Sequence, residues 1–173
     1  GGVSDGDLRE IQASQSLGAN WNGGGTLLAY EYQHRDALDG RDPDFASASG
    51  LPRTLLPEQK RHSVYANIHQ DLSERWSLFG DVLYSRRDSD NELSYLSLHN
   101  EEKSENEQLF ASMGAQIDID GNWNAGATAS YSEYQFEASL LRTPEGETLG
   151  ELTQTNVDTD VWSFDVLTDG TLL

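Results

Sequence analysis

The chain has 173 residues, enough for one ordinary domain, with 36% hydrophobic residues and a formal net charge of −19. That acidity argues against a nucleic-acid partner, because phosphate binding needs clustered Lys and Arg. The chain has no Cys, which excludes a disulfide framework, a thiolate metal site and a Cys nucleophile.

Low hydrophobicity with high charge is the composition of disordered chains. Here 16 Gly, 7 Tyr, 5 Phe and 4 Trp are spread through regularly alternating segments, which points to folded β structure. No apolar run approaches the ~20 residues of a membrane helix. A β-barrel hides its lipid face in alternation, so hydropathy leaves that option open.

Residues 1–8 are Gly- and Asp-rich and read as a loop. From Arg9 to Trp21 the pattern alternates, with Ile11, Ala13, Leu17, Ala19 and Trp21 on one face and Gln15 as the exception. Asn22-Gly23-Gly24 is a hairpin turn signal, because it tolerates positive φ. Gly25 to Arg35 returns as a strand, with Leu28, Tyr30 and Tyr32 on one face. A long connection, 36–59, holds Pro43, Pro52 and Pro57. A hairpin follows from Arg61 to Arg87, turning at Ser73-Glu74-Arg75. Its second strand puts Trp76, Leu78, Gly80, Val82 and Tyr84 on one face and Ser77, Phe79, Asp81, Leu83 and Ser85 on the other. A second long, charged connection is expected over 88–106. Glu107 to Asp120 is a strand with an unbroken apolar row from Leu109 to Ile119. Asp120-Gly121-Asn122 is a tight turn, and Trp123 to Glu137 goes back. A third long connection is expected over 138–157. The last strand, 159–168, carries Trp162, Phe164 and Val166 on one face, and Asp169-Gly170 reads as the next turn.

Short and long connections therefore alternate. Outer-membrane barrels alternate them too, with short turns in the periplasm and long loops outside. The aromatics fit the same frame. Trp21, Trp76 and Trp123 stand beside short turns, and Tyr32, Tyr84 and Tyr131 stand on the same face near the long connections. Eight residues at a tilt of ~40° rise roughly 20 Å, against ~25 Å for an apolar band flanked by two aromatic girdles. The fold class expected is all-β: an antiparallel up-and-down meander of about seven strands, forming part of a large transmembrane barrel wall.

Two runs carry a family resemblance. YEYQHRDALDGRDPDF (Tyr30–Phe45) and LPEQKRHSVYANIHQDLSERWSLFGDVLYSRRDS (Leu56–Ser89) resemble the barrel domain of TonB-dependent outer-membrane receptors. That family has 22 strands around an N-terminal plug, binds ligand on the outside and is driven by TonB. The resemblance implies that 1–173 is a partial barrel domain without plug, TonB-contacting motif or closing C-terminal strand. It implies a parent protein that imports a scarce nutrient such as a ferric siderophore, cobalamin or a glycan, without catalysis or cofactor. The partners it implies are outer-membrane lipid and lipopolysaccharide, the TonB system through the plug region, and a small nutrient ligand. Two other readings compete: a passive porin-like barrel, and a soluble secreted β-domain binding carbohydrate or protein.

Candidate sites follow from the loops and strand ends. Apolar and cationic loop residues, Phe45, Leu51, Arg53 and Tyr95, are candidates for ligand contact. Arg35, Arg61, Arg86 and Arg87 lie where strands meet long connections and are candidates for binding lipopolysaccharide phosphates, since Arg binds phosphate well. Asp36, Asp39, Asp42 and Asp44, and Asp88, Asp90 and Glu92, offer oxygens that could suit Ca²⁺, but they lack an EF-hand pattern and read as solvated loop. His34, His62, His69 and His99 show no metal-ligand spacing, although His34 and His62 flank one connection. No metal site is expected.

Overall fold

The computed structural model describes residues 8–39, 54–95, 98–120, 122–144 and 150–170. Among these it is all-β, with nine strands: β1 (Glu10–Trp21), β2 (Gly24–Arg35), β3 (Leu38–Asp39), β4 (Thr54–Leu56), β5 (Glu58–Asp71), β6 (Trp76–Tyr95), β7 (Leu98–Asp118), β8 (Trp123–Pro144) and β9 (Glu151–Gly170). Seven of them form one sheet in the order β1-β2-β5-β6-β7-β8-β9, and β3 and β4 make a separate two-stranded ribbon. Every pairing in the large sheet is antiparallel between neighbours in that order, so the sheet is a meander.

The turns show why the chain reverses where it does. Gly23 has φ of 73°, a conformation that costs a glycine nothing. Its carbonyl accepts the Asp71 amide, which ties the first turn to β5. At the second turn the Ser73 hydroxyl oxygen accepts the amides of Arg75 (3.3 Å) and Trp76 (3.2 Å). At the third, the Asp120 carboxylate accepts those of Asn122 (3.1 Å) and Trp123 (3.0 Å). In both, a short polar side chain replaces a backbone acceptor and holds the turn closed directly before a tryptophan.

Two of the long connections expected from the sequence are instead mostly strand. β6 and β7 continue to Tyr95 and from Leu98, and β8 and β9 continue to Pro144 and from Glu151. Charge and polarity had marked these stretches as loops. A strand with both faces hydrated can carry them, provided the ladder is paired, and here Arg86 stands opposite Glu107 and Asp90 opposite Lys103. The connection 36–59 also contains the β3–β4 ribbon and the start of β5. Asp169-Gly170 is not a turn: it closes β9, opposite Asn124 and Trp123.

Among the described residues the large sheet has no second layer covering it. Among the described residues no hydrophobic side chain is buried. The chain exposes 12311 Å², whereas a compact protein of this length would expose about 8,400 Å². Both edge strands, β1 and β9, are exposed along their whole length. On β9, Phe164 is 75% and Val166 80% exposed. An uncovered, apolar edge of that length is an aggregation template in water.

Candidate functional site

The register joins the apolar rows of single strands into one belt. Leu28 lies opposite Ala66 and Ala66 opposite Val82, which continues to Ala111 and on to Tyr131. One step nearer the turns, Ile68, Gly80, Met113, Ala129 and Phe164 form the next row. Between the tryptophans and the tyrosines this face carries no charged residue, and Gln15, Thr26, Gln70 and Thr168 are its polar exceptions.

The aromatic residues slip across this register in a regular way. From Tyr32 the pairing line crosses His62 and reaches Arg86, yet Tyr84 sits two residues nearer the turn. From Tyr84 the line crosses Leu109 and reaches Glu133, and Tyr131 again sits two residues nearer the turn. Trp76 leads through Ile117 to Ala125, and Trp123 is displaced by the same two residues in the same direction. That is one residue per strand. At ~3.3 Å along a strand for every ~4.8 Å across the sheet, it corresponds to strands tilted about 35° from the normal to the aromatic rows. Transmembrane barrels tilt their strands by ~35–45°. From Trp21 to Trp76 the slip is two residues over three strands, a shallower angle of about 25°. With a 35° tilt, the eight residues from Trp76 to Tyr84 span about 22 Å.

The polar tips of the aromatics point out of the belt. The Tyr84 hydroxyl donates to Glu107 (3.1 Å) and that of Tyr131 to Glu133 (3.0 Å), both on the side away from the turns. Tyr30 meets the Nδ1 of His62 at 2.8 Å. At the other end, the Trp21 indole N–H donates to Gln70. An aromatic body with its polar end directed away from the apolar zone is the arrangement that an interface between water and hydrocarbon favours. Trp162 extends the tyrosine row onto β9, its ring 4.7 Å from that of Tyr131.

Directly outside the tyrosines, Arg86 joins three carboxylates: Glu105 (2.7 Å), Glu107 (3.1 Å) and Asp88 (3.5 Å). Burial works against its charge, but these three neighbours hold its pKa above the ordinary guanidinium value. Lys60 is likewise raised, by its hydrogen bond to Glu58 at 2.9 Å.

The opposite face is mixed within the same span, with polar and charged residues set among Leu27, Phe79, Leu83 and Phe110. Asp81, in mid-strand, accepts from Tyr65 (2.8 Å), Asn67 (2.8 Å) and Ser112 (3.4 Å), which binds β5, β6 and β7 together. Phe79 lies over Gly114, its direct partner on β7, where any Cβ would meet the ring. This is how an aromatic side chain covers the backbone that a strand glycine leaves bare.

The structure distributes the expected site residues unevenly. The six girdle residues share one face in two rows. The four arginines do not stay together: Arg86 is on the belt face, while Arg35, Arg61 and Arg87 are on the other. His34 and His62 are diagonal neighbours on the belt face, with His34 bound to Asp36 at 2.8 Å. His69 lies on the opposite face against Phe79, and His99 contacts Glu101 at 3.3 Å. Of the acidic sets, Asp88 and Asp90 are in β6 facing Lys60 and Glu58. No group of three candidate metal ligands occurs among the described residues. Phe45, Leu51, Arg53, Asp42 and Asp44 lie outside the described residues. Tyr95 ends β6 opposite Leu98. The Tyr65–Asp81–Ser112 network escaped the sequence reading. A lone carboxylate in mid-strand was the visible sign, but its partners come from three strands and appear only with the register. Comparison with protein families, with curated proteins and with solved structures finds no match to this chain.

Proposed function

We propose that this sheet is part of the wall of an outer-membrane β-barrel, and that the barrel belongs to a receptor for TonB-dependent uptake of a scarce nutrient. The observation that carries the membrane reading is the one-residue slip of the aromatic rows per strand, which turns two rows of Trp and Tyr into two level girdles at a tilt of about 35°. The belt between them faces lipid. The opposite face, with Asp81, Glu31 and Asp165, faces a wet lumen. Beyond the tyrosines, the β6–β7 and β8–β9 hairpins project outside the membrane, where a ligand arrives. The receptor part of the reading is supported by the resemblance of 30–45 and 56–89 to the barrels of that family. Import is binding followed by gated passage, so the wall needs no catalytic group.

Fractionation tests it. Produced as part of its whole barrel in a Gram-negative host, the sheet should be found in the outer membrane, need detergent for release, and belong to a protein that runs faster on unheated than on heated denaturing gels. Release into the soluble fraction without detergent would overturn the membrane reading.

A further inference from the structure

Beyond the tyrosine rows, charge is sorted by face. On the belt face of β5–β9, carboxylates outnumber Lys and Arg by more than three to one, with Glu92 opposite Glu101, Glu105 opposite Glu137 and Glu133 opposite Asp160. On the other face at that level, arginines gather. Arg61 stands directly opposite Arg87, and Arg35 is the diagonal neighbour of Arg61. Like charges directly opposite one another destabilise a ladder. The chain has 30 Asp and Glu against 11 Lys and Arg, so carboxylates to separate them are plentiful.

The local partners do not satisfy the trio. Arg61 donates to Glu31. Glu10, although opposite Arg35, instead accepts from Gln33 at 2.6 Å. Among the described residues Arg35 and Arg87 have no ion-pair or hydrogen-bond partner through their side chains, and the Nε atoms of Arg35 and Arg61 are buried and unpaired. Arg86, one residue from Arg87, has three carboxylates. The same row that holds Arg61 and Arg87 also brings in the amides of Gln12, Gln33 and Asn106.

We propose that Arg35, Arg61 and Arg87 form an anion-capture site on the lumen side of the outer rim, and that the ligand taken up carries carboxylate or phosphate groups. This rests on the barrel reading. Guanidinium forks grip both groups in bidentate fashion. The flanking amides of Gln12, Gln33 and Asn106 already donate to Glu31, Glu10 and Tyr134, so the capture rests on the arginines. The acidic outer side of the same hairpins repels such a ligand while the inner side attracts it, so the sheet itself steers an anion toward the lumen.

The test is equilibrium dialysis of labelled citrate and, separately, inorganic pyrophosphate against the whole barrel protein that carries this sheet, in detergent micelles, with maltotriose as the neutral control. At least one anion should bind and maltotriose should not; the anion that binds tells carboxylate from phosphate chemistry. The Arg35→Gln, Arg61→Gln, Arg87→Gln triple variant should bind at least tenfold more weakly, and Arg87→Gln alone at least threefold. Lys60→Gln with Lys103→Gln, on the belt face, should change binding less than twofold. Integrated, heat-modifiable protein that binds neither anion, or binds equally in wild type and Arg87→Gln, overturns the proposal alone. Protein that never becomes heat-modifiable overturns the barrel reading and this proposal with it.

Discussion

Ala127 and Thr128 are neighbours on β8, halfway between Trp123 and Tyr131, and they sit in opposite surroundings. Ala127 lies between Ala115 and Val166 in a charge-free belt. Thr128 lies between Gly114 and Asp165 on a face with Asp81 close by. Among the described residues, neither face is buried against another layer. In a globular protein the two faces of a sheet differ because one meets a core. On the reading proposed above, the difference comes from two solvents, hydrocarbon on one side and water on the other. A single layer with its apolar face exposed is unstable in water but becomes sensible once the medium supplies the missing contacts.

The comparison can be broken by placing one charge on each side. Ala127→Arg puts a cation at mid-belt and should cost about 2–4 kcal/mol in denaturant unfolding from lipid vesicles. Thr128→Arg, one residue away, should cost less than about 1 kcal/mol, because a lumen-facing charge stays hydrated. Equal costs would mean that the faces meet the same medium.

A smaller effect is expected within the polar face. Gly114→Ala pushes a methyl into the Phe79 ring and the Ala127 carbonyl, so overpacking of about 1–3 kcal/mol is expected. Gly126→Ala meets only ordinary contacts and should stay within about 0.5 kcal/mol of wild type. Unfolding midpoints of the two variants check this, and a Gly126→Ala cost as large as that of Gly114→Ala would contradict the packing described.

Smaller still is the rim. Arg86→Gln removes the cation that bridges Asp88, Glu105 and Glu107, but its side chain is 42% exposed and water screens the loss. About 1 kcal/mol is expected, shrinking as salt rises. A loss that does not shrink with salt would mean the network is not electrostatic. Tyr84→Phe deletes the hydrogen bond to Glu107 and should cost about 0.5–1.5 kcal/mol by the same measurement.

Much of this contrast was legible in the sequence, because a period of two needs no coordinates. The rows Trp76–Tyr84 and Trp123–Tyr131, the turns that precede each tryptophan and the order of the strands all follow from alternation and turn chemistry. Two things were not legible. The stretches 88–106 and 138–157 look like loops because strands are recognised by apolar alternation, and a hairpin with water on both faces has none. The strand identity of Arg86 to Asp90 comes from partners on β7, Glu107 back to Lys103. The second is which arginines share a face. Arg35, Arg61, Arg86 and Arg87 look alike as strand-end charges. Parity within a strand separates Arg86 from Arg87, but only the register sets Arg61 beside Arg87 and apart from Arg86.

The chain contains no cysteine, so single thiols can be placed without background. The most direct test of a two-solvent sheet is a cysteine scan along β8 in lipid vesicles: Ala125→Cys, Ala127→Cys and Ala129→Cys against Gly126→Cys, Thr128→Cys and Ser130→Cys. The first three should resist a water-soluble thiol reagent, and a fluorophore attached there should be quenched by brominated acyl chains. The second three should react readily and escape that quenching. Six sites that react at one rate, with no alternation from residue to residue, would contradict the account.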